Sequence, residues 1–133
     1  VQRADTEPEF HEYATESEYI QKLIQTARAS KEFKGTTAFV ALDTETAART
    51  AQLLGDDSPT LIGEGDTLPN SGSILLALPL AKGLEFDHVV IVDANKEDFP
   101  ETDLSRRRLY TAISRATSTV SIFSNGELSP LLK

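Results

Sequence analysis

A chain of 133 residues suits one domain that buries about two-thirds of its unfolded surface, and 39% hydrophobic with 26% charged residues is a globular balance. The lack of cysteine excludes disulfides and thiolate metal sites, two separated histidines argue against zinc, and no apolar run reaches the ~20 residues of a membrane span. The net charge of −8 is uneven, −7 over residues 1–66 and −1 over 67–133, so the chain as a whole repels polyanions and any phosphate site must be local.

In chain order, "PEFHEYAT" (8–15) reads as an edge strand anchored by Phe10 and Tyr13. The stripe Tyr19, Leu23, Ile24, Ala27 predicts a helix, with Thr15 and Glu18 as capping box and Gly35 as C-cap. "TTAFVAL" (36–42) is a buried strand; the following helix is capped by Asp43 or Thr44 and stopped at Gly55. Residues 56–73 are rich in turn formers, with one short strand at 60–62. "ILLAL" (74–78) and "DHVVIVDA" (87–94) are further strands, and 103–117 is a helix with Asp103 as N-cap and Leu109, Ala112, Ile113 and Ala116 on its buried face. A last strand covers 118–124.

Strands written as continuous apolar runs, alternating with helices, predict a mostly parallel α/β sheet covered on both faces. One domain over 1–133 is expected, with 1–8 and 125–133 as flexible ends. With no methionine and no apolar leader at its start, the chain reads as a cytoplasmic fragment of a longer protein, with no membrane partner.

Such sheets bind ligands beyond the carboxyl ends of their strands, which selects the loops after Leu42, Leu78, Asp93 and Ser124. "AKGLEFD" (81–87) lies in the second, where Gly83 permits close backbone approach and Glu85 offers acceptors to sugar hydroxyls. A solvated turn is the plainer alternative. "HVVIVDA" imitates a magnesium-binding strand ending in Asp93, but none of the seven glycines is followed by lysine, so no phosphate-binding P-loop accompanies it. No metal ligand is assigned, and His11 and His88 read as strand-surface residues. The only basic cluster is "RRRLYTAISRA" (106–116). Arg115 there reads as a surface ion-pair residue or as a ligand-directed one.

Taken together, "AKGLEFD" and "RRRLYTAISRA" resemble motifs V and VI of superfamily 1 helicases of the UvrD/Rep type. The resemblance implies a RecA-like three-layer sandwich without its own P-loop: the C-terminal lobe of a two-lobed ATP-dependent motor. It further implies ATP with Mg as cofactor, held mainly by an N-terminal RecA-like lobe that also carries the metal. By position, Arg115 resembles the catalytic motif VI arginine, while Gly83, Glu85 and Lys82 resemble the nucleotide-binding motif V residues. The implied partners are the N-terminal lobe and DNA, and the fragment alone is expected to be inactive.

There are departures from the pattern. Ala77 and Pro79 replace the threonine and histidine of "TxHxxKG", Leu42 stands where a basic residue is expected, and Arg108 occupies a usually apolar place. Only 31 residues separate Leu42 from Ile74, too few for the inserted subdomain of UvrD and Rep. This compactness resembles the helicase IV/HelD branch. The alternative implied there is a module that binds and recycles RNA polymerase, with strand separation vestigial.

Overall fold

The computed structural model describes residues 7–133. Along the chain run β1 (Glu9–Tyr13), α1 (Glu16–Ser30), β2 (Thr36–Ala41), α2 (Thr44–Leu54), β3 (Thr60–Leu61), β4 (Gly72–Ala77), α3 (Leu78–Ala81), β5 (Phe86–Ile91), α4 (Asp103–Ile113) and β6 (Ala116–Asn125). The strands form one sheet in the order β1-β6-β5-β2-β4-β3, and all five pairings are parallel.

Parallel neighbours need crossovers, and these divide the helices between two faces. Tyr19, Leu23 and Ala27 of α1 and Ala47 and Leu54 of α2 pack with Phe39, Ala41, Val90 and Phe123. On the opposite face, Leu78 and Ala81 of α3 and Leu109 and Ala112 of α4 pack with Ala38, Val40, Val89, Ile91 and Ile122. Successive side chains of β2 and β5 thus enter different cores, which is why those strands have no polar alternation. Burying each large aliphatic or aromatic side chain contributes roughly 1.5–3 kcal/mol. The result is the expected three-layer α/β sandwich.

Local chemistry sets most helix ends. The Thr15 side chain accepts from Glu18 N at 3.2 Å, and Asp43 accepts from Thr46 N at 2.8 Å. Gly55, at φ 58°, ends α2 as expected. Gly35 does not cap α1, which stops at Ser30 with Lys31 as its C-cap. Gly35 instead takes φ 82°, and a Cβ there would meet Asp87 Oδ2 at 2.0 Å. That carboxylate accepts from Thr36 N at 2.8 Å, pinning the start of β2 to the start of β5. Thr102, not Asp103, caps α4 and accepts from Ser105 N at 3.1 Å. Asp103 accepts from Arg106 at 2.9 Å, offsetting a cation placed unfavourably in the first turn.

At the ends, residues 1–6 of the expected flexible N-terminus lie outside the described residues. Residues 125–133, expected as a flexible end, make several contacts with the rest of the domain. Leu128 and Ser129 are buried, Ser129 N donates to Ala94 O at 2.9 Å, and Leu128 N donates to Glu12 Oε2 at 2.7 Å.

Candidate nucleotide-facing edge and the α3–α4 groove

The connection from β4 to β5 must travel from the carboxyl to the amino edge of the sheet within residues 78–85. The four-residue α3 begins that return, with Pro79 in its first turn, where the missing N–H costs nothing. "AKGLEFD" therefore does not form a carboxyl-end loop. Its Glu85 immediately precedes β5, at the amino edge. Gly83, at φ 80°, adopts a conformation that favours glycine, and a Cβ there would meet nothing within 4 Å.

Arg115 is likewise displaced from its expected place on a helix. The helix ends at Ile113 with Ser114 as C-cap, and Ala116 already belongs to β6. Ala116 continues the helical spacing of apolar residues, but its burial comes from pairing with Phe86. Phe86 N donates to Arg115 O at 2.8 Å, so Glu85 and Arg115 stand at the entries of adjacent strands. The structure thus unites two residues 30 positions apart in sequence.

The Arg115 side chain is half-buried. One terminal nitrogen donates to Ser114 Oγ at 3.3 Å, while Nε is buried with no hydrogen-bond partner. Among the described residues no carboxylate lies at ion-pair distance from it. A buried donor without an acceptor costs about 1–3 kcal/mol, a cost that would be relieved if the half-buried side chain turned towards an anion at this edge.

Lys82 belongs to a different surface. With Leu42, Leu78, Leu104, Arg107 and Arg108 it lines a groove of about 400 Å³ between α3 and α4. Asp43, at the same groove, has its carboxyl held below the ordinary range, first by the Thr46 hydrogen bonds and then by Arg49 and Arg108. The sequence places Arg107 and Arg108 in the basic cluster, with Arg108 at a usually apolar motif position, but assigns neither to a site. The available signal is their spacing, three and four residues after Leu104, which places all three on one helix face.

Asp93 follows β5, accepts from Asn125 N at 2.9 Å, and has its carboxyl pushed up to about 6. Burial is the main cause; hydrogen bonds from Asn125 and Asn95 oppose it, and nearby Asp98 adds to it. Among the described residues no group of three or more His, Cys, Asp or Glu could hold a metal ion. His88 Nε2 lies 3.1 Å from Lys34 O and must donate to it, and Nδ1 lies 2.7 Å from Thr119 Oγ1. His11 stacks on Phe123 with ring centroids 4.7 Å apart. Both histidines are therefore engaged with neighbouring residues of the fold, Phe123 for His11 and Lys34 and Thr119 for His88. Among the described residues no helix is long and apolar enough to cross a membrane.

Fold and edge together define a P-loop-free α/β domain of the RecA-like kind. Residues 79–123 match the family model of the UvrD-like helicase C-terminal domain. Over 94% of its length, the chain is similar in fold to the C-terminal domain of a possible DNA helicase from Lactobacillus plantarum WCFS1, with a TM-score of 0.79, 26% identity and 78% of that chain covered. Among curated proteins, none matches. The chain thus resembles a UvrD-family helicase C-terminal domain, by sequence over its central motifs and by fold over nearly its whole length.

Proposed function

We propose that this domain is the C-terminal motor lobe of an ATP-dependent superfamily 1 helicase or translocase of the helicase IV/HelD kind. In this reading it completes an ATP site made mainly by an N-terminal lobe and couples hydrolysis to movement on DNA. The observation that carries the reading is the placement of Glu85 and Arg115 at the entries of adjacent strands on one edge, the arginine having a buried Nε without a partner. The match over residues 79–123 and the likeness to a possible helicase's C-terminal domain support it.

The residues present fit a nucleotide. Arg115 supplies a donor that lacks an acceptor, Glu85 supplies acceptors for ribose hydroxyls, and Gly83 leaves bare backbone in open space. Bound ATP with Mg would supply the transferable phosphoryl group, and Arg115 would neutralise charge developing on it. Lys82, turned to the groove, would add positive potential.

Leu42, Ala77 and Pro79 favour a second reading, in which the parent holds RNA polymerase and strand separation is vestigial. ATP hydrolysis by the full-length parent, measured with and without single-stranded DNA, separates the two. Strong stimulation by DNA supports the motor reading. Hydrolysis that DNA leaves unchanged overturns it in favour of the binding module.

A further inference from the structure

We propose that the groove between α3 and α4 is a docking site for an acidic, leucine-bearing polypeptide segment of a partner protein. The groove opens beside the carboxyl end of β2. There the connections leaving β2 and β5 turn towards opposite faces and opposite ends of the sheet. Crevices at such switch points are where open α/β sheets take their ligands.

Its chemistry is double. Leu42, Leu78 and Leu104 form an aliphatic surface, and Leu104 is 48% exposed. Lys82, Arg107 and Arg108 stand around it against one carboxylate, Asp43, which accepts from Thr46 N and feels Arg108 but lies at ion-pair distance from none of the three; among the described residues no other carboxylate does either. In a chain with 21 acidic and 13 basic residues, three cations against one carboxylate on one apolar crevice are a local reversal of charge. A ligand bearing carboxylates alone would leave the leucines in water, and an uncharged apolar ligand would leave the cations unmatched. A segment with both satisfies both, in the manner of a helix laid in a groove.

A polypeptide fits better than a polynucleotide. No aromatic ring lines the groove itself, the exposed Tyr110 lying in the neighbouring depression of α4, so bases within the groove have no stacking platform. The net charge of −8 also opposes a long polyanion continuing past the groove, whereas a short acidic segment feels mainly the cations within a Debye length of about 8 Å. The inference does not rest on the ATP-lobe reading.

The test is selection of displayed ~12-residue random peptides against the 133-residue chain without nucleotide. Enriched sequences should combine Asp or Glu with Leu, Ile or Phe. The best peptide, synthesised, should lose at least about tenfold in affinity against the double variant Arg107→Ala/Arg108→Ala, and similarly against Leu104→Asp. Both variants should melt as wild type does, since the three side chains are exposed. Replacing the peptide's leucines with serine should cost a comparable factor. No enrichment, enrichment without acidic residues, or binding indifferent to both variants overturns the proposal. So does an oligothymidylate of about 20 nucleotides that binds more tightly than the peptide and loses binding in the same variants.

Discussion

Replacing Asp93 with asparagine should stabilise the domain at about pH 8 and change little at about pH 4. In the folded protein the Asp93 carboxyl titrates at about 6 instead of its ordinary 3.8. Because the folded-state value is raised, the native protein binds this proton more readily than the unfolded chain does. Above about pH 6 the ionised, half-buried carboxylate is a net cost to folding. The cost is relieved as pH falls through 6 and is gone below about 3.8. A displacement of about two pKa units corresponds to roughly 3 kcal/mol, reduced by the hydrogen bonds an ionised carboxylate makes more strongly than an amide. Asparagine keeps an oxygen to accept from Asn125 N, so the expected gain is about 1–3 kcal/mol. For a domain of this size that is a rise in Tm of roughly 3–10 °C. Thermal melts of both proteins across this pH range are the assay. A variant that melts lower throughout, or a difference that does not change with pH, would refute the assigned cause.

Gly35→Ala should cost about 2–4 kcal/mol, because a methyl group there strikes the Asp87 carboxylate while adopting positive φ. In an Asp87→Ala background the same change should cost about half as much, which a double-mutant cycle by urea unfolding would show. Ser129→Ala should cost about 1–2 kcal/mol, since its hydroxyl donates to Phe99 O at 2.7 Å and accepts from Leu131 N. Its effect on Tm checks that residues 125–133 are structural. The isolated chain should hydrolyse no ATP and should bind DNA only weakly at ~150 mM salt, as phosphate-release and fluorescence-anisotropy assays would register.

The layered α/β class was legible because strands buried on both faces must be apolar throughout, as Phe39–Ala41 and Val89–Ile91 are. The caps at Thr15, Asp43 and Gly55 were legible because they act within four residues. Less visible was anything set by distant partners. The Gly35 conformation depends on Asp87, and the anchoring of Ser129 depends on Ala94 and Phe99. At the boundary between α4 and β6, Ala116 satisfies helical and strand periodicity at once, so the spacing predicts a helix running through Arg115, whereas α4 ends at Ile113. The two motifs themselves stood in the sequence. Their meeting at the amino edge did not, because it follows from β5 and β6 lying side by side and from a β4–β5 connection that spends its residues returning across the sheet.

The most direct test of the proposed nucleotide role of this edge is kcat for ATP hydrolysis by the full-length parent carrying Arg115→Ala. An arginine that neutralises charge on a transferred phosphoryl group contributes on the order of 10³–10⁵ in kcat. The variant should therefore nearly lose turnover while its affinity for ATP changes far less, and Arg115→Lys should restore little, since an ammonium lacks the planar fork. Arg28→Ala is the control for removal of a cation, because Arg28, on α1, is engaged in an exposed ion pair with Asp57 beyond the end of α2; it should leave kcat within a few-fold. A folded Arg115→Ala protein that keeps wild-type kcat would contradict the account.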